Sequence, residues 1–273
     1  MSSGTVSIRE QDGSVVQLEI YETLPSVARL AKKYAEKGYP DRYAVFSERQ
    51  MRSALTGSKL NESETEYGMF LSLILRPSIF PSQAALLGAM TATAMAQGLQ
   101  EHTTKNLGIG WVSDIYCDGV KIGASSLEGK LDNFTTYEYI IVNFAAKLDS
   151  ENFPPMLADM VRKVFESENT SISMIIARSI LSKFLAFYST FKTNNSFMDK
   201  YNELFVLRGQ RIRHGVDQKK KLCKVLGVDM ETGALIIATR SGDVKTVTSP
   251  TQVTIPKRIR LKKPVQKKQQ QKE

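Results

Sequence analysis

The chain is 273 residues long and 42% apolar, enough for a buried core in one large domain or in a large and a small one. Its 37 Lys and Arg against 28 Asp and Glu leave a net charge of +9, a balance that favours acidic or nucleic-acid partners. Residues 256–273 hold eight of those cations against one Glu, so +7 of the charge belongs to this terminal stretch and +2 to everything before it. Nothing reaches the roughly 18 consecutive apolar residues of a membrane span, and the first residues form neither a signal core nor an Arg-rich transit segment. The expectation is a cytosolic chain with no membrane contact. Cys117 and Cys223 stand in apolar, strand-like stretches and read as buried, reduced thiols. His102 and His214 share no ligand spacing with each other or with a cysteine, so no metal is expected.

In chain order, residues 5–22 alternate around a turn at Gln11-Asp12-Gly13 and predict a hairpin. Pro25 opens a helix to about Lys37, with Val27, Leu30, Ala31, Tyr34 and Ala35 on one face. A short strand over 43–47 is followed by a polar, aperiodic stretch over 48–67, a loop long enough to be functional or disordered. The run 69–75, apolar but for Ser72, predicts a strand buried on both faces. Residues 82–100, small and apolar almost throughout, predict a core helix. Gly110–Cys117 and Lys121–Leu127, joined by Asp118-Gly119, predict a hairpin of two strands. A further strand follows over 137–145. Pro154 and Pro155 introduce a helix to about Glu166, and residues 171–191 carry one apolar stripe over five helical turns.

After Phe205 the texture changes. Short strands are expected over 211–216, 222–229, 234–240, 244–248 and 252–255, with tight turns at Glu231-Thr232-Gly233 and Gly242-Asp243. Strands this short and this evenly spaced predict a small barrel. The reading is therefore a larger domain over 1–203, a small β-barrel over 204–256, and a Lys- and Gln-rich disordered tail over 257–273.

The segment Leu107-Gly108-Ile109-Gly110-Trp111-Val112-Ser113-Asp114-Ile115-Tyr116-Cys117-Asp118-Gly119-Val120-Lys121-Ile122-Gly123 resembles the central signature of biotin–protein ligases, Lys-Trp-Pro-Asn-Asp-Ile-Tyr, a turn, then Lys-Ile-x-Gly. Trp111, Asp114, Ile115, Tyr116, Lys121 and Ile122 stand where that pattern puts them. The same stretch is similar to lipoate–protein ligases, which share the catalytic fold. Leu204–Ile212 and Leu226–Leu235 look like the small C-terminal domain of the biotin branch. Glu22-Thr23-Leu24-Pro25-Ser26 resembles the family's first helix entry. The resemblance covers about residues 17–255. It implies an α+β fold: a mixed β-sheet with packed helices, of the class II aminoacyl-tRNA-synthetase type, followed by a small SH3-like β-barrel.

Such ligases condense biotin with ATP and pass the acyl group to a carrier lysine. Carried over residue by residue, the resemblance makes Lys121 and Asp114 the catalytic pair of an active enzyme. It makes Gln50, Arg52, Gly57, Trp111, Gly123, Ala124 and Ser125 the substrate-binding set, with biotin, ATP and magnesium as the ligands. The small Gly123, Ala124 and Ser125 imply an open trough with Trp111 on its wall and Lys121 and Asp114 at its mouth.

Several motif positions depart from the family. The Gly-Arg-Gly-Arg-x-Gly loop reads Ser53-Ala54-Leu55-Thr56-Gly57-Ser58, and the lysine before the central Trp is Gly110. The Gly-x-Gly-x-Asn turn reads Asn143-Phe144-Ala145-Ala146-Lys147, and Ser-Thr-Asn at the first helix reads Ser26-Val27-Ala28. Losing one such phosphate-binding group commonly costs about 10²–10³ in rate. Three readings stand: a ligase-fold binding or scaffold subunit in a protein complex, an active, divergent ligase, or a nucleic-acid-associated protein in which the fold is incidental and the tail does the binding. The tail cations Lys257, Arg258, Arg260, Lys262 and Lys263 suit RNA or a nuclear import signal as well as a solvated end.

Overall fold

In the computed structural model the described residues are 4–9, 13, 15–51, 66–132, 135–148, 171–191, 193–215, 221–255 and 259. The expected nucleotide loop, with Arg52 and Gly57, lies outside them. So do the helix expected over 154–166 and the tail cations.

Eight strands make one mixed sheet: β1 (Gly4–Arg9), β2 (Val15–Leu24), β3 (Tyr43–Gln50), β4 (Glu66–Leu75), β5 (Leu107–Ile109), β6 (Asp114–Cys117), β7 (Val120–Leu131) and β8 (Tyr137–Ala146). Their spatial order is β1-β2-β3-β4-β8-β7-β6-β5. The β2–β3 pair, joined through helix α1 (Val27–Glu36), is parallel; the other pairings are antiparallel. Helices α2 (Ala84–Gln100) and α3 (Ile172–Thr190) cover the opposite face.

The alternation of a strand places successive side chains on opposite faces. Met69, Leu71, Leu73 and Leu75 of β4, with Ile140, Val142, Phe144 and Ala146 of β8, enter the core beneath α2 and α3. Phe70 and Ile74, with Tyr139 and Ile141, pack instead against Val27, Ala31 and Ala35 of α1. Coverage on both sides explains why 69–75 is apolar without interruption except at Ser72.

Helix α2 earns its place by smallness. A Cβ on Gly98 would come within 2.7 Å of the Ile180 backbone nitrogen, so the glycine marks where α2 and α3 cross. The hydroxyls of Thr91 and Thr93 donate back to Leu87 O and Ala89 O at 2.8 and 2.9 Å, which satisfies them inside the core. By length and composition α3 could cross a membrane, but half of its apolar window is buried in this fold. Its Ile176, Ile180, Leu181 and Phe184 are core residues.

Helix α4 (Phe197–Leu204) leads into a second, wholly antiparallel sheet of β9 (Arg211–His214), β10 (Lys221–Val228), β11 (Leu235–Ala238), β12 (Val244–Val247) and β13 (Val253–Thr254), ordered β12-β11-β10-β9-β13. This is the small β unit expected at the end of the chain. Its buried Ile212, Val225, Leu235 and Ile237 belong to the same apolar cluster as α2 and α3. Cys117 and Cys223 are buried and form no disulfide.

Three expectations need correction. The stretch 48–67 is shorter as a connection, because β3 runs on to Gln50 and β4 begins at Glu66. Gly110–Cys117 is not one strand: β5 pairs with β6, and Gly110 N donates to Asp114 O at 2.8 Å across the turn between them. The third is the end of the folded part. Ile259 is buried and its N–H donates to Gly119 O at 2.9 Å, so the fold takes in a residue assigned to the tail.

Trp111, on the β5–β6 turn, is 3% exposed, and its Nε1 donates to Gly233 O of the second sheet at 3.0 Å. Trp111→Phe would keep most of the ring packing and leave that buried carbonyl without this donor. The expected cost is about 1–3 kcal/mol of unfolding free energy, read by urea denaturation of the full chain.

Candidate functional site

Two neighbouring cross-strand registers on the α1 face form the floor of a cavity of about 320 Å3, at the small end of the range for small-molecule sites. One is the row Ser72, Asn143, Ser126; the other is Phe70, Ala145, Ala124. The roof is the start of α1, Ser26 to Arg29, together with Gln50 at the end of β3.

The first row is a hydrogen-bonded ladder. Ser72 Oγ donates to Asn143 Oδ1 at 2.6 Å, and Asn143 Nδ2 donates to Ser126 Oγ at 3.3 Å. That pairing makes polar side chains tolerable on strands covered on both faces. Gln50 is 5% exposed, and its Oε1 accepts from Val27 N at 3.0 Å. Ser26 Oγ accepts from Arg29 N at 3.4 Å. The first turn of α1 is thus capped from two sides, leaving its N-terminal end over the cavity. Arg29 is the one cation on the wall among the described residues.

The residues singled out from sequence fall into two groups. Gln50, Ala124 and Ser125 line the cavity, with Ser26-Val27-Ala28 and Asn143-Phe144-Ala145. Trp111, Asp114, Lys121 and Gly123 are not on its lining. Lys121 Nζ lies 2.7 Å from Asp114 Oδ1 in a partly exposed ion pair. The neighbouring phenols of Tyr116 and Tyr201 are pushed well above the ordinary tyrosine value, by burial first and by the Asp114 carboxylate second.

The trough expected against Gly123 is closed. Alternation turns Gly123 and Ser125 towards α2, opposite to Ala124 and Ser126. A Cβ on Gly123 would meet Ala145 O at 2.7 Å and Met95 Cε at 2.9 Å. The Ser125 hydroxyl, buried on that side, has no partner among the described residues. Sequence reasoning missed the Ser72–Asn143–Ser126 row. The signal was present as Ser72, the lone polar residue inside an apolar strand, but its partners are set by sheet register.

Among the described residues no three His, Cys, Asp or Glu side chains gather to hold a metal ion. The cavity's neutral donors and acceptors, beside an exposed Arg29, suit a small polar ligand with an apolar body. They supply no nucleophile with an adjacent base.

A pair of substitutions separates the cavity from the core behind it. Gly123→Leu drives a side chain into Met95 and the β8 backbone and is expected to destabilise the protein by roughly 1–3 kcal/mol or more. Ala124→Leu, one residue on, projects into the cavity and is expected to leave the thermal midpoint nearly unchanged. Differential scanning calorimetry on both variants makes the comparison.

No family model matches the chain. It is 25% identical over 226 residues to a Bacillus subtilis protein, the bifunctional ligase/repressor BirA, covering 81% of this chain and 69% of that one. The Bacillus spizizenii counterpart is 24% identical over 225 residues, with the same coverage. Among solved structures, the Aquifex aeolicus biotin protein ligase in complex with biotin and ATP superposes with a TM-score of 0.64 at 19% identity, over 87% of this chain and 97% of that one. A biotin protein ligase-like protein of unknown function from Silicibacter gives 0.62 at 12% identity, over 85% and 94%. A mixed sheet between α1 and the α2–α3 layer, closed by a small antiparallel sheet, is the fold of these neighbours. With the central Trp111–Gly123 signature and the curated relatives, it makes this chain a divergent biotin–protein-ligase-like protein.

Proposed function

We propose that the chain is a ligase-fold binding subunit that holds a small ligand or a protein partner without activating an acyl group. The observation that carries this reading is at Gly110, where the family pattern has a lysine. A Cβ there would lie 2.8 Å from Cε2 of Tyr116, a core ring only 1% exposed. Packing against Tyr116 and Asp114 crowds the place where a side chain at this position would begin.

Three further features support it. Lys121, the remaining cation of the motif, is paired with Asp114 and stands off the cavity wall. Positions 53–58 carry one glycine and no arginine, where close approach to a pyrophosphate needs glycines and cations. Asn143 and Ala145, at the end of β8, stand where the family's later turn has glycines, and Lys147 where it has the asparagine.

The other reading, an active divergent ligase, is favoured by the cavity itself. It is lined by Gln50, Ala124 and Ser125, positions that the resemblance assigns to ligand binding. In that case biotin would lie on the floor of Phe70, Ala124 and Ala145. ATP would have Arg29, Lys121 and the 52–59 segment for its phosphates. A protein partner is part of both readings, as a complex in the first and as a carrier domain in the second.

One assay decides between them. The pure protein is incubated with biotin, lipoate or octanoate, together with ATP and magnesium, and pyrophosphate release is followed. No release above the protein-free rate is expected. Acyl-adenylate formed above that rate would make the chain a ligase and retire the proposal.

A further inference from the structure

The net charge is not spread evenly over the folded part. Residues 1–203 hold 20 Lys or Arg against 23 Asp or Glu, a net −3, whereas residues 204–255 hold nine against four, a net +5. The value of +2 outside the terminal stretch therefore conceals an acidic larger part and a basic small one.

The register of the second sheet places several of those cations in unusual positions. On its inner side Ile212, Cys223, Val225, Ile237 and Val247 are buried. Two residues further along the same strands, the positions on that side are His214, Lys221 and Lys245. Lys221 pairs with His214, and Lys245 with Ile237. The inner face thus runs from apolar to cationic towards one end. There, with Arg240 from the β11–β12 turn, these residues line a groove of about 730 Å3.

Among the described residues Asp243 is the one acid on the groove wall; Ser241 Oγ donates to its Oδ2 at 2.6 Å and Thr239 Oγ1 at 3.3 Å, which keeps it a carboxylate, outnumbered by Lys221, Arg240 and Lys245. Lys221, Arg240 and Lys245 have no ion pair among the described residues. An excess of cations around a concavity focuses the field and concentrates anions there. Arg211, Arg213 and Lys224, exposed on the outer side of the same strands, add to that field.

We propose that this groove is a phosphate-backbone site for a nucleic-acid duplex, separate from the basic terminal stretch. Its chemistry is that of backbone recognition: among the described lining residues, three exposed ammonium or guanidinium groups against one carboxylate, and no aromatic ring. Readers of single strands depend on aromatic platforms for base stacking, and the groove offers none.

The test uses the full chain and a fluorescently labelled DNA duplex, titrated by anisotropy over a range of salt concentrations. Two variants are compared with it. In one, Lys221, Arg240 and Lys245 are changed to Gln; in the other, every Lys and Arg from 257 onwards is changed to Gln. The groove variant is expected to lose about ten-fold or more in affinity, with a salt slope shallower by roughly 0.9 for each phosphate contact removed. The tail variant is expected to keep a salt-dependent affinity that the groove substitutions then abolish. The unlabelled duplex should compete better than either of its single strands. If the triple variant does not fold, as judged by near-ultraviolet circular dichroism, Arg240→Gln and Lys245→Gln alone serve, each expected to flatten the slope by roughly 0.9. Wild-type affinity and slope in a folded groove variant would overturn the proposal. So would a complete loss of binding in the tail variant, or binding to phosphatidylserine vesicles without binding to the duplex.

Discussion

Strands β4 and β8 are covered on both faces, and most of the molecule follows from that constraint. A side chain on either strand must be apolar or must find a partner inside the sheet, because an unpaired polar group there costs about 1–3 kcal/mol. Met69, Leu71, Leu73, Ile140 and Val142 meet the condition by packing beneath α2 and α3, and Phe70, Ile74, Tyr139 and Ile141 by packing beneath α1. Ser72 and Asn143 meet it by bonding each other. The cavity lies where this polar row reaches the start of α1, and where Gln50 and Ser26 cap that helix instead of filling the space beneath it.

The same close packing bears on Gly110, a departure from the ligase motif, and on Gly123. Gly110 is not an empty place left by a lost lysine, because the Tyr116 ring occupies the space its Cβ would need. Gly123 brings β7 against Met95 of α2 and the β8 backbone. In both places a residue type that reads as open or permissive in sequence is a point of tight contact. Fold and chemistry are accordingly under different constraints. The fold is shared with the Aquifex aeolicus ligase at a TM-score of 0.64 although only 19% of residues are identical.

The first sheet is joined to α4, to the segment after it and to the second sheet through a few specific contacts. Trp111 reaches Gly233 O, Val206 N donates to Ile109 O at 3.0 Å, and Tyr201 OH donates to Val112 O at 3.2 Å. All three involve β5 or the turn after it, the stretch that carries the family signature. Its tryptophan therefore holds the two sheets together. Its Asp114 and Lys121 hold each other, off the wall of the cavity.

Local pattern was enough for most of the architecture. The apolar run 69–75, the small-residue helix after Gln83, the Asp118-Gly119 hairpin and the strand-dense end each follow from composition and period within one segment. The positions brought to the cavity were partly legible too, since Ser26, Gln50 and Ala124 stand in motif positions. Other features depend on residues far apart in sequence, and no local pattern contains them. Strand register decided that Ser72, Asn143 and Ser126 form one row, that Gly123 faces Met95 while Ala124 faces the cavity, and that Lys221, His214 and Lys245 gather at one end of the second sheet. A shift of one residue in that pairing would exchange the two faces of every strand involved, and in the first sheet that choice is made by the packing of the helices on either side.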